Sequence, residues 1–461
     1  MAVTASTNWE VRTTGSDLNG GGFDPTVAGA GIDRSQQDAA HFTGSAASTT
    51  SVSTTVGLGA AVADNSWVGN VIRLSGGSGA QTPVHKVIVS VTDASTVAVN
   101  SATGLVTGTG VSIAMGGAAA GIVYLCHGSG AHAQSGNAVY VRGGTGPQVY
   151  PIAIPINCLR GTSGNPFMVV GYDPAHVAET RTRLFIRRTA VRPVLRGATG
   201  ASGNLWTLGG NAQRLKGLDL DSNGFFVTGV VETLIIDCIL RGFSHVGAMG
   251  NAYLCQAIGG ERGFANWSAF YCYAQGATTA GFNPGGLGVS LGCVAKACAA
   301  GFTTSSLSHA RTAAINCLAD GSAIATPNTP GGTGFTTDLN VNCVARRCVT
   351  GFGGGNATAV DLACAAWGCT TTAGAGRSST MRGGALGIIE LTADPVEDAG
   401  ALNFSMSAAV RTALEDTGFP VDLLGTIGES FSDIGPFSPI AAVGGGPGVL
   451  IRRGFDAGFN Q

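Results

Sequence analysis

Charge is what this sequence has least of. Asp, Glu, Lys and Arg make up 11% of its 461 residues, against about a quarter in an average globular chain. The balance of −2 says nothing about partners. No basic groove with interleaved aromatics is visible either, so nucleic acid is not an expected ligand. Long apolar runs are also missing, and nothing approaches the 18 or more residues of a membrane span. The opening MAVTASTNWEVR has no apolar stretch behind a basic one, so no secretory leader is expected. Before the C-terminal region no long apolar stripe repeats at the helical period. No Walker-type loop is present, and Gly-x-Gly strings carry no meaning in a chain with 74 glycines.

What the sequence does have is many short runs of Val, Ile, Thr and Ala, separated by clusters of Gly, Asn, Ser and Thr. That pattern predicts short strands with turns at close intervals. Aligned on cysteine, it becomes a repeat: IDCILRGFSHVG at Cys238, YLCQAIGGERGF at Cys255, FYCYAQGATTAGF at Cys272 and LGCVAKACAAGF at Cys293. INCLADG at Cys317, VNCVARRCVTGF at Cys343 and LACAAWGC at Cys364 continue it, in steps of 17, 17, 21, 24, 26 and 21 residues. A Gly-Phe pair follows in four of these units, ending at Phe264, Phe282, Phe302 and Phe352, and Phe335 closes a longer one.

A period near 20 with strand-like content predicts a β-solenoid, here a right-handed parallel β-helix, whose coils lie about 4.8 Å apart. Equivalent side chains then stack. Small, weakly polar Cys suits a narrow interior, and Phe after Gly suits a corner where rings pile on rings. Three pairs with C-x₄-C spacing (Cys293/Cys298, Cys343/Cys348 and Cys364/Cys369) have only His309 among them, which does not fit a zinc site and gives no expectation of a metal or other cofactor. Residues five apart on a strand face opposite ways unless a turn intervenes. Disulfides between coils are sterically open, but a chain without a leader is expected in a reducing compartment. The expectation is a packing ladder of buried thiols.

Along the chain, residues 1–45 read as a polar, Gly-rich extended arm with little to bury, and residues 46–120 as a small β unit with a hairpin turn at Thr92–Ser95. Residues 121–384 read as the solenoid. Residues 385–461 read as a C-terminal cap and tail, with a helix at Ser407–Asp416, Ser405 or Ser407 as its cap, and Gly418 after its end. A polar cap would stop edge-to-edge growth of the solenoid.

NWEVRTTGSDLNGGGFDP, followed by GIDRSQQDAAHF, resembles the N-terminus of a family of tailed-bacteriophage and prophage virion proteins. VGNVIRLSGG with VIVSVTDASTVAVN resembles the β module that follows in those proteins. LTADPVEDAGALNFSMS, TGFPVD and DIGPF are similar to the closing segment of many right-handed β-helix proteins, with Val396 where an aromatic is usual and Pro436 where Ala is. The resemblance covers about a third of the chain, at its two ends. It implies a virion component assembled in the host cytoplasm, trimeric, and anchored to head or tail by its N-terminal part. Trp9, Arg12, Asp17, Asp24, Asp33 and Arg34 are then the anchoring residues.

The leading function is a non-enzymatic structural protein of the phage particle, decorating the head or projecting as a tail fibre or spike component. Its partners are copies of itself and other virion proteins. A tailspike that binds or cuts a host glycan is the alternative, because Asp219 and Asp221 in KGLDLDSNG share a strand face, with Glu232 and Asp237 about one coil away. Trp206, Trp267 and Trp367 would then stack on sugars. A bacterial surface adhesin is a third class. The basic run with Arg181, Arg183, Arg187, Arg188, Arg192 and Arg196 reads as a solvated strand face, or as a match for Glu390, Asp394, Glu397 and Asp398 of another subunit. His127 and His132 read as surface or coil-packing residues.

Overall fold

The computed structural model describes most residues from 3 to 374, other than 128–131, 173–191, 198–203, 209–211, 223–225, 230–232, 304–311, 323–329, 354–358 and a few shorter stretches. Beyond 374 it describes only 388–390, 394, 396–398 and 403–406. The helix expected at 407–416 lies outside the described residues. The fold is all-β with long parallel sheets. It divides into two compact units, Met1–Ile186 with Ala190–Ser268, and Arg187–Thr189 with Ala269–Gln461.

In the first unit the small β module is a closed antiparallel barrel. Its strands Phe42–Thr49, Thr55–Gly57, Val71–Gly76, Gln81–Asp93, Thr96–Val99 and Gly108–Met115 alternate apolar and polar side chains. The inward set, including Val56, Trp67, Ile72, Leu74, Ile88, Val97, Val111 and Met115, forms one buried core. Ala94 and Ser95 make the hairpin turn, where Asp93 Oδ1 accepts the Ser95 N–H at 2.7 Å.

The N-terminal segment is not the extended arm its composition suggests. Asn8–Val11 pairs in parallel with Ala138–Val141, which in turn pairs with Met168–Gly171. The chain thus enters the parallel stack at residue 8, leaves it to build the barrel, and returns at residue 138. Trp9 is the anchor of that first rung: it is fully buried and donates from Nε1 to Asn137 Oδ1 at 3.0 Å. From there the parallel register runs through Gln213–Lys216, Thr233–Ile236 and the second half of His245–Tyr253. A second ladder joins Val149–Ile152, Val194–Gly197, Asp219–Asp221, Ile239–Arg241 and Gln256–Ile258.

The second unit repeats three short strands. Val289–Leu291, Val294–Lys296 and Ala300–Phe302 pair in parallel with Ala313–Ile315, Leu318–Asp320 and Thr333–Phe335, and these with Leu339–Val341, Val344–Arg346 and Thr350–Phe352. Phe282, Phe302, Phe335 and Phe352 stack face to face, with centroids 4.8, 4.9 and 5.1 Å apart and planes within 12°. The glycine before each ring is there for space rather than for a bend. A Cβ on Gly334 would meet the Gly351 carbonyl oxygen at 2.3 Å, and one on Gly301 the Gly334 carbonyl at 2.7 Å.

Cys272, Cys293, Cys317, Cys343 and Cys364 are all fully buried. The last four each donate to a carbonyl more than 20 residues back, Cys317 to Ser290 and Cys343 to Ala314 at 3.2 Å. The second cysteine of each pair also points inward, because a left-handed residue intervenes. Ala297 has φ 53°, Arg347 φ 46° and Gly368 φ 60°. Cys298 and Cys348 therefore add buried thiols that strand alternation assigns to the outside, and Cys369 a half-exposed one. In the first unit Cys238, Cys255 and Phe264 are likewise buried.

Candidate functional site

Asp219 and Asp221 sit two apart on one strand of the first unit and do share a face. The neighbouring strands put Arg196 and Arg241 in register on either side of Asp221. Arg196 Nε donates to Asp221 at 2.8 Å, and Arg241 Nε to both Asp219 oxygens at 3.0 and 3.1 Å. Asp237 stands at a left-handed corner with φ 51° and accepts from Arg192. Asp219, Asp221 and Asp237 are thus each held by a guanidinium. Burial pushes Asp219 up from the ordinary carboxylate value while Arg241 pulls it back.

The second unit repeats the pattern at the equivalent strand position, where Lys296, Asp320 and Arg346 lie in register. Like charges on directly opposed strand positions repel, so a column of stacked strands that carries charge has to alternate its sign. The alternation accounts for Asp221 and Asp320 as sheet packing. A glycosidase needs one carboxyl group to give up a proton and a second to attack the sugar or activate water. Carboxylates already locked onto arginines do neither well. Arg192 is largely covered in its pair with Asp237, whereas Arg196 stays exposed beside Asp221, as expected of a solvated strand face.

Lys216 is a residue that spacing gives no reason to single out. It is buried, and burial followed by the charge of Arg214 lowers its ammonium to about 8. Trp367 is covered by cations: the Arg347 and Arg346 guanidinium carbons lie 4.7 and 5.5 Å from its ring centroid. Asp394 accepts from Arg346 through both oxygens, at 2.8 and 2.6 Å, and so is paired within its own chain. The side chains of Trp206, Trp267, Glu397 and Asp398, and residues Arg181, Arg183, Arg187, Arg188, Glu232 and His309, lie outside the described set.

The six residues expected to anchor the chain are engaged inside it. Trp9, Arg12 and Asp24 are buried. Arg12 pairs with Glu10 at 2.9 Å, and Asp24 Oδ1 accepts from the Thr26 amide at 2.8 Å. Asp17 accepts the Ala120 and Gly121 amides at 3.0 Å, Asp33 holds Ser35, and the Arg34 amide donates to Asn70. The large apolar side chains this segment exposes are Leu18 and Ile32.

His132 is a packing residue of an aromatic nest. Its Nδ1 lies 3.1 Å from Nδ1 of fully buried His85, whose ring also contacts Trp9 and Tyr124 edge-on. Burial, then Arg73, lowers His132 to about 4, and burial, then His132 and Arg73, takes His85 well below its usual value. The other ionisable groups facing this nest are Arg73, Tyr124 and Asp17. The unfolded chain takes up these protons near pH 6.5 and the folded chain only at lower pH. Stability is therefore whole above about pH 6.5 and drains away as the pH falls toward 4. The melting temperature is expected to drop across that window, and His132→Gln to make the drop shallower. An equal slope in the variant would show that the histidine pair does not drive it.

No family model and no curated protein matches the chain. Among solved structures, a rhamnogalacturonan lyase aligns over 51% of this chain and 66% of its own, at 16% identity and a TM-score of 0.30. So slight a likeness carries no argument about activity.

Proposed function

We propose that this chain is a non-enzymatic structural protein of a tailed-phage particle, built as a right-handed parallel β-helix and associating with copies of itself through an uncharged sheet face. One observation carries the association. Val289–Leu291, Ala313–Ile315, Leu339–Val341 and Val360–Leu362 stack in register. Their inward residues are Ser290, Ala314, Asn340 and Asp361, three of them polar. Asn340 Nδ2 donates to Asp361 Oδ1 at 2.7 Å. Their outward residues, Val289, Leu291, Ala313, Ile315, Leu339, Val341, Val360 and Leu362, are all apolar and all half-buried.

A parallel sheet is normally covered on both faces, and a contiguous apolar patch is a feature of surfaces that associate. A face without a single charge calls for an equally uncharged partner. An identical face, repeating at the same pitch of about 4.8 Å, meets that requirement rung for rung. The placement in a virion rests on the resemblance of the N-terminal segment, and the absence of activity on the arginine-bound carboxylates.

Light scattering on the purified full chain is expected to report a trimer. Ile315→Arg, which places a charge in the middle of the face, should release monomers with an unchanged far-UV spectrum. A wild-type chain that stays monomeric at the highest soluble concentration would overturn the association. Absence of the protein from the proteome of purified source particles would overturn the virion role.

A further inference from the structure

Two thiols of the second unit stand apart from the others. Arg346 pairs with Trp367 ahead of Cys348 and Cys369, and Thr350 with Thr371 behind them, an offset of 21 residues both times. The register does not slip between these points, and the Thr370 amide donates to the Cys348 carbonyl at 3.0 Å. Cys369 therefore lies directly over Cys348. One strand spacing, about 4.8 Å, falls inside the Cα separation that a disulfide spans.

The side chains point the same way. Cys348 Sγ lies 3.6 Å from the Ala319 carbonyl oxygen and Cys369 Sγ 3.6 Å from that of Ala345, the equivalent acceptor one repeat later. The two thiols are also in hydrogen-bond contact with each other. Access separates them: Cys348 is buried and Cys369 half-exposed, while every other cysteine among the described ones is buried.

We propose that Cys369 and Cys348 are an oxidisable pair, in which a peroxide reaches Cys369 and the product is an intrachain disulfide joining two neighbouring repeats. The Cys369 thiolate attacks one peroxide oxygen, the O–O bond breaks, and the sulfur is oxidised to a sulfenic acid. The displaced hydroxide takes up a proton and leaves as water. The Cys348 sulfur then attacks the sulfenic sulfur, giving up its proton to the departing hydroxide, which leaves as a second water. Two thiols and one peroxide thus become one disulfide and two waters. Donation from Cys348, opposed by burial and by Glu390, lowers Cys369 to about 7, which favours the attacking thiolate. The fully buried Cys272–Cys364 column has no comparable access.

The test treats the full chain with hydrogen peroxide, alkylates it in denaturant without reductant, and maps the peptides by mass spectrometry. The expected product is a single cross-linked pair containing Cys348 and Cys369, with the remaining cysteines alkylated. In Cys348→Ser, dimedone should trap the Cys369 sulfenic acid, which in the wild type is lost to the disulfide. Wild-type Cys369 recovered alkylated, over-oxidised without a bridge, or trapped by dimedone to the same extent as in the variant would overturn the proposal. Matching circular dichroism spectra for the two proteins establish that both start folded.

Discussion

Replacing Phe302 with alanine is expected to destabilise the second unit by about 3–5 kcal/mol, among the largest single-residue effects in the molecule. The ring is fully buried and stacked on both faces, by Phe282 at 4.8 Å and by Phe335 at 4.9 Å. Its removal opens a cavity and breaks two stacked pairs at once, each worth about 0.5–1.5 kcal/mol beyond area burial. The neighbours cannot close in to fill the gap. Their positions are set by a backbone so tightly stacked that Gly301 and Gly334 have no room for a methyl group. In a fold whose repeats touch mainly their neighbours, the loss should be local. Hydrogen exchange is expected to accelerate around residues 280–352 and leave the barrel of the first unit alone. Chemical denaturation checks the magnitude. A change below about 1 kcal/mol would show that neither the burial of the ring nor its stacking stabilises the unit as expected.

Arg346→Ala should be comparably severe, by about 3–5 kcal/mol, for an electrostatic reason. Asp320 is fully buried and accepts from Ser322 N and Oγ at 3.0 and 2.6 Å and from Arg346 Nη1 at 2.8 Å. Without the guanidinium its carboxylate is left charged in a site with little access to water. The same change breaks the two-oxygen grip of Arg346 on Asp394, which keeps a contact with Arg347 at 3.4 Å. Asp320→Asn combined with Arg346→Met removes both charges, and it should cost less than the two single changes added together. A double-mutant cycle by denaturant unfolding measures that difference. Strict additivity would show that the pair is not coupled.

The parts of the fold open to sequence reading were those in which one position repeats one residue type. Cys293, Cys317 and Cys343 are spaced at unequal steps of 24 and 26 residues, yet each heads a strand of the same ladder, because loops between strands absorb the difference. The Gly-Phe pairs mark the stacked rings. The reason for the glycine was not legible: a close approach from the next repeat cannot be told from a bend by composition. Nor was the inward turn of Cys298 and Cys348. Ala297 and Arg347 carry side chains that rarely adopt left-handed backbone, so nothing local announces the corner that swings both thiols of a pair inside.

The acidic cluster shows the same limit. Asp219 and Asp221 share a face as alternation requires, and in isolation that is equally the look of a catalytic pair. Their partners Arg196 and Arg241 are 25 and 22 residues away, and only strand register brings them in. The N-terminal segment went furthest astray in sequence, since its polar, Gly-rich stretch is kept in order by Trp9 lying over a strand that begins at residue 138.

The sequence by itself determined the all-β class and the repeating parallel strands, because side chains that must pack on their own kind leave a period that composition cannot hide. Tertiary structure alone decided which charges neutralise which, where the first rung begins, which thiols meet, and which apolar columns face outward. Those depend on pairings between distant segments and on single left-handed corners, and neither leaves a mark on local spacing.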